Sequence, residues 1–195
     1  MKVGLVEPAV QEEFPGLRLH WTMVDASVRA SPREVERRLS ELSDRYRGAG
    51  VVAMRTKPIP QAYRSFFRQV GLDPDASRIP SEEAAVRRLL HGRFRSRDTL
   101  EDARLIALVE TGVPVWALDA RVVDPDSLGI RNTGGRLVVA DSLRVHATLF
   151  GEPDPGHLPG RGTGRMVLFA VGVEGVPAIH LEEALWMACE VIGSG

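Results

Sequence analysis

Thr99-Leu-Glu-Asp-Ala-Arg-Leu-Ile-Ala-Leu-Val-Glu-Thr-Gly-Val-Pro-Val-Trp-Ala-Leu-Asp119 holds the turning point of the chain. Its first half reads as a helix. Thr99-x-x-Asp102 has the form of a capping box, and Leu105, Ile106, Leu108 and Val109 recur at helical spacing. Gly112 and Pro114 stop that helix, the one by tolerating left-handed backbone, the other by lacking an N–H. From Val113 to Leu118 β-branched and aromatic residues take over, the composition of a buried strand. Helical patterns dominate before this junction and strand patterns after it.

Upstream, Val3 to Val6 and Leu17 to Val24 read as strands, with Leu17, Leu19, Trp21 and Met23 on one face of the second, and a short helix from Pro8 to Phe14 lies between them. Ser31-Pro32-Arg33-Glu34 marks a helix start, with Val35, Leu39, Leu42 and Tyr46 as its apolar stripe and Gly48 as its stop. Gln61 to Val70 is expected to bury Tyr63, Phe66, Phe67 and Val70. Ser81 is expected to cap a further helix with Ala85, Val86, Leu89 and Leu90 inward and Gly92 at its end. Downstream, Leu128–Arg131, Leu137–Ala140, Arg144–Leu149 and Met166–Val173 are short β-rich runs, Asn132-Thr133-Gly134-Gly135 is a hairpin turn, and Pro153 to Gly164 is a loop long enough for a rim or lid. Residues 181–192 form a closing amphipathic helix with Leu181, Leu185, Ala188, Cys189 and Ile192 inward. Helices first and strands later, without a βαβ repeat, specify one α+β domain over residues 1–195.

The 195 residues are 44% hydrophobic and 26% charged, which excludes disordered, collagen-like and coiled-coil chains. A single cysteine, Cys189, excludes a disulfide scaffold and a multi-cysteine zinc site. No apolar run approaches the ~18 residues of a membrane span, and the start of the chain has no signal-peptide pattern, so a cytoplasmic protein without a membrane partner is expected.

The net charge of −1 conceals a segregation. From Arg55 to Arg97 ten basic side chains face four acidic ones, whereas from residue 98 onward seven arginines face fourteen acids. Two readings of the basic stretch stand side by side: a solvated helical face, or a surface that takes phosphates in bidentate guanidinium forks. Arg93-Phe94-Arg95-Ser96-Arg97 interleaves an aromatic with three arginines, as a loop gripping a sugar–phosphate backbone would.

Generic catalytic motifs are sparse. No P-loop occurs, Gly160-Arg161-Gly162-Thr163-Gly164 lacks dinucleotide spacing, and no His-Glu-x-x-His or ligand cluster appears, so neither a metal nor a cofactor is expected. Cys189 on an inward helical stripe reads as a small core residue. His146 in a strand and His157 in the loop are acid–base candidates.

Three stretches taken together carry a resemblance. The first runs from Pro8 through Phe14-Pro15-Gly16-Leu17 to the Ser31-Pro32 helix. The second comprises Tyr63-Arg64-x-Phe66, Gly71-Leu72-Asp73-Pro74, Arg78-Ile79-Pro80-Ser81-Glu82-Glu83-Ala84 and Arg87-Arg88-Leu89-Leu90. The third is Asp102-Ala103, then Thr111-Gly112-Val113-Pro114-Val115 and Ala117-Leu118-Asp119. In this order they resemble the B3/B4 domain, the tRNA-binding and editing domain of the phenylalanyl-tRNA synthetase beta subunit, in free-standing form; Leu137-Val138-Val139-Ala140-Asp141 and Phe150-Gly151-Glu152 extend the match. The resemblance implies an α+β fold with a β-barrel-like or mixed-sheet core and a helical insertion in the first half. It implies the editing module alone: hydrolysis of an amino acid wrongly esterified to tRNA, not ligation.

Where the family's editing pocket carries a Thr, an Asn and, twelve residues after the Thr, a His, this chain has Arg104, Leu105 and Trp116. For Leu105 and Trp116 the alternative is core packing; Arg104 would take a carboxylate or phosphate. Glu152 matches the pocket glutamate that reads the substrate, and a catalytic role is expected of Glu152 with Asp102 or His146 positioning water. Arg87, Arg88, Arg93, Arg95 and Arg97 would contact tRNA or aminoacyl-tRNA. Three functions remain open: an RNA-associated, editing-like domain that deacylates in trans; a binding module for an amino-acid-like small molecule that has lost hydrolysis; and a small-molecule enzyme built on Arg104, His146 and Glu152.

Overall fold

The first six residues already divide between two sheets. In the computed structural model, which describes residues 1–46, 48, 50, 53 and 56–193, Gly4 splits the expected Val3–Val6 strand. β1 (Lys2–Val3) pairs antiparallel with β3 (Arg18–Val24), whereas β2 (Leu5–Val6) pairs parallel with β5 (Gly129–Thr133). A Cβ on Gly4 would lie 2.6 Å from Leu19 Cδ2 and 2.8 Å from the Leu128 carbonyl oxygen, so only glycine fits where the chain passes from one sheet to the other.

With β4 (Val115–Asp119), β6 (Arg136–Ala140), β7 (Val145–Thr148) and β8 (Met166–Gly172), two four-stranded sheets result, ordered β1-β3-β8-β4 and β2-β5-β6-β7. The first is antiparallel throughout and the second is mixed through its β2–β5 pair. They do not close into a barrel, which corrects the barrel-like core that the resemblance implied. Every residue of β8 is buried, because its Met-Val-Leu-Phe-Ala-Val-Gly run has one face on helices and the other on the shared core. The expected hairpin joins β5 and β6, with Gly134 at φ 59° and Gly135 at φ 81° in the left-handed region that a tight turn demands.

Helix α1 (Pro8–Glu13) links β2 to β3. Helices α2 (Arg33–Arg45), α3 (Pro58–Gln69), α4 (Pro80–His91) and α5 (Thr99–Thr111) are inserted between β3 and β4, as expected for the first half. The last helix, α6 (Ala178–Gly193), packs along α5 and against β8 and β3. Among the described residues no helix is long and apolar enough to cross a membrane. Arg55, the start of the basic stretch, lies outside the described residues.

Four local expectations are corrected. Asp98, not Thr99, caps α5, its carboxylate accepting from the N–H groups of Leu100 and Glu101. Ser31 and Ser81 make no cap bond; Pro32 and Ile79 occupy the cap positions. On α4 the buried face is Ser81, Glu82, Ala84, Ala85 and Arg88, while Leu89 and Leu90 are exposed. Met23 is likewise exposed at the end of β3, where His20 is buried instead.

Candidate functional site

Arg104 and Glu152, 48 residues apart in sequence, meet at the surface. The Arg104 guanidinium is held on three sides: Nε donates to the Val115 carbonyl at 2.8 Å, Nη1 to Glu101 at 2.7 Å and Nη2 to Glu152 at 2.7 Å. It thus joins α5, the first residue of β4 and the turn after β7. Its side chain is 15% exposed and that of Glu152 65%, so the pair has one member largely out of water and one in it. Trp116 is buried one residue further along β4, stacked on Phe169 with centroids 5.7 Å apart and tilted against Phe150 at 5.9 Å. Leu105 is half-buried against the same core.

Phe150, two residues before Glu152, packs among aromatic rings of the core. Its ring stands 5.6 Å from Tyr63, 5.7 Å from Phe66 and 5.5 Å from Phe67, and its φ of 62° puts a bulky residue in the left-handed region. The surrounding rings hold it there and turn the chain so that Glu152 faces Arg104. Clefts of about 410 Å³ and 340 Å³ lie elsewhere, one over Phe14, Phe66 and Glu174 and the other over Tyr46, Leu108 and Gly112. Of the residues that the resemblance assigns to a pocket, Arg104 and Glu152 are brought together, while Trp116 and Leu105 pack into the core.

Asp102 is fully engaged in tethering the chain. Buried at the start of α5, it accepts from the hydroxyls of Ser31 at 2.6 Å and Ser96 at 2.5 Å and from the Arg97 N–H at 2.9 Å. Three segments are tied at this carboxylate. His146 lies in β7 among different partners: Nε2 is 2.9 Å from Asp141 and Nδ1 is 3.3 Å from Nδ1 of His157. Burial holds the His146 pKa below its ordinary value against the opposing pull of Asp141. The backbone N–H groups of Asp124, Leu143 and Arg144, with His146, hold Asp141 down to about 2 despite its burial. His157, expected as a separate acid–base candidate in the loop, is brought against His146, and Asp141 enters this cluster unpredicted. Asp141 had a legible signal, an aspartate opening the turn before a strand whose second residue is His146, whereas the meeting of the two histidines had none.

The basic loop is pinned from within. Phe94 is buried edge-on to Tyr46, and its N–H donates to Ser43 Oγ at 2.8 Å. With Ser96 and the Arg97 N–H held by Asp102, the side chains of Arg93, Arg95 and Arg97 are left exposed, without an acidic partner among the described residues. Arg87 is exposed and pairs with Glu83 one turn earlier. Arg88 departs from the expected phosphate-binding set: it is buried and donates twice to the Ser43 carbonyl at the end of α2, at 2.8 and 3.2 Å.

Among the described residues no group of three His, Cys, Asp or Glu side chains is arranged to hold a metal ion. Burial pushes the Cys189 thiol pKa up, as suits a packing residue rather than a nucleophile. Neither a scan against models of known protein families nor a search among curated proteins returns a match to this chain.

Proposed function

We propose that this chain is an RNA-associated, editing-like module of the B3/B4 type, with tRNA or aminoacyl-tRNA as its partner. The observation that carries the reading is the loop from Arg93 to Arg97: three exposed guanidinium groups held around one buried aromatic, with no acid to neutralise them among the described residues. Unpaired arginines on a pinned loop are pre-organised for phosphate oxygens, whereas Arg87 on α4 is already paired with Glu83. The helical insertion between β3 and β4 suits the same reading.

Binding of unfractionated tRNA, followed by fluorescence anisotropy over a salt series, tests it. Affinity is expected to fall steeply with salt, and the Arg93→Ala/Arg95→Ala/Arg97→Ala variant to lower the logarithmic salt slope by about 2–3. Absence of tRNA binding at low salt ends the reading.

A second reading is favoured by the Arg104–Glu152 pair. A cation and an anion 2.7 Å apart are complementary to the carboxylate and ammonium of a free amino acid, which would exchange partners with them. An esterified amino acid offers no carboxylate to Arg104, so the pair fits a binding module better than a deacylase. Free amino acids at about a hundred times their Kd are then expected to raise stability by roughly 2.7 kcal/mol, a gain lost in Glu152→Ala. Hydrolysis of mischarged tRNA that Glu152→Ala abolishes would return the pair to catalysis.

A further inference from the structure

Asp141, His146 and His157 form a chain of polar groups running from the interior to the surface. Asp141 Oδ1 accepts from the N–H groups of Leu143 and Arg144, and Oδ2 from the N–H of Asp124 at 2.8 Å and from His146. A carboxylate ionised in this way only accepts, so His146 Nε2 carries its hydrogen. Buried and neutral, His146 then has a lone pair on Nδ1, and the nitrogen facing it at 3.3 Å, Nδ1 of His157, is the donor. The neutral tautomer of His157 is thereby fixed with Nε2 bare, on a half-buried residue. Its position is fixed as well: the Asp154 N–H donates to the His146 carbonyl at 2.8 Å, and the Asp154 carboxylate caps the single turn Pro155–His157 through the Gly156 N–H.

We propose that His157 is the general base of a water-activating centre for acyl esters, with Nε2 as the reacting atom and His146 and Asp141 as its positioning residues. The arrangement has the polarity of a buried carboxylate–imidazole pair, with a second imidazole in place of a hydroxyl. His157 Nε2 takes a proton from water as that oxygen attacks the ester carbonyl carbon. The tetrahedral adduct then expels the alcohol oxygen, the C–O bond breaks, and the proton on Nε2 passes to the leaving alkoxide, giving acid and alcohol with the base regenerated. The centre is independent of the Arg93–Arg97 loop, so its test and the tRNA test fail separately.

The probe is 4-nitrophenyl acetate, assayed with a metal chelator present. Wild-type protein is expected to hydrolyse it at least ~10-fold faster than His157→Gln. His91→Gln, which alters an exposed histidine at the end of α4, is expected to match wild type. Long-range 1H–15N spectra near neutral pH are expected to show His157 as the Nδ1–H tautomer, and Asp141→Asn to redistribute it. Equal rates for wild type and His157→Gln, or an Nε2–H tautomer at His157, overturn the proposal. So does a rate that disappears in chelator, because the two facing Nδ1 atoms would then be ligands to an ion.

Discussion

Arg64 lies 5% exposed between α3 and α4, with Nη1 on both oxygens of buried Glu82 at 2.8 and 3.0 Å and Nη2 on Asp75 at 2.8 Å. Coulomb attraction there offsets the cost of desolvating two charges only while both partners remain. Arg64→Met, which keeps the bulk and leaves Glu82 without its guanidinium, is expected to destabilise the fold by about 3–5 kcal/mol, read from the urea midpoint. Asp141 yields a pH prediction. Its folded pKa, about 2, lies below the unfolded value, so the unfolded chain binds more protons in acid. Its contribution, about 2 kcal/mol, is complete above pH ~4 and is lost as pH falls from there toward 2. His146 and His20, both depressed by burial, add a loss that begins as pH falls below about 6.5. Urea midpoints at pH 7.5, 5 and 3 are expected to decrease in that order, the last step shrinking in Asp141→Asn. At this scale the sequence was misleading where hydropathy and hydrogen bonding compete. The stripe Ala85, Val86, Leu89 and Leu90 is apolar at helical spacing, yet the face turned inward is rotated by one position so that Arg88 reaches the Ser43 carbonyl at the end of α2. A helix end needs donors for its last carbonyls, and that need is invisible in the periodicity of a different helix.

Periodicity located most elements and misplaced several of their ends. The Thr99-x-x-Asp102 pattern has the right spacing for a capping box, but Asp98 stands one residue earlier and takes the N–H groups, freeing Asp102 to tie Ser31, Ser96 and Arg97 together. Asp98→Ala is accordingly expected to cost about 1 kcal/mol in thermal or urea unfolding, with little effect on the loop that Asp102 holds. The candidate site was legible to the same degree. Arg104 and Glu152 were each named, but their contact depends on the left-handed turn at Phe150, and no motif marks a phenylalanine for that conformation. His146 stood out as a histidine within a strand, whereas the approach of His157 depends on how a Gly- and Pro-rich loop folds back through Asp154. Long-range meetings of loops are set by tertiary packing, of which local pattern holds no record.

At the scale of the whole molecule, the division into a basic stretch and an acidic remainder survives folding in altered form. Arg64 and Arg88 of the basic stretch are drawn into the interior, while Lys57, Arg68, Arg78 and Arg87 stay in water along with the three arginines of the Arg93–Arg97 loop. The two sheets meet in one core, with β8 central to the first: β3 pairs with it through seven residues and β4 through five. The chain supplies β8 at residues 166–172, after both strands that it joins. During synthesis, Leu19 and Trp21 of β3 therefore leave the ribosome about 150 residues ahead of their partners Val171 and Phe169, roughly 8–30 s at ordinary elongation rates. Through that interval β3 has only the two residues of β1 beside it, so its apolar side chains, which the finished protein buries, stay open to chaperones in the nascent chain.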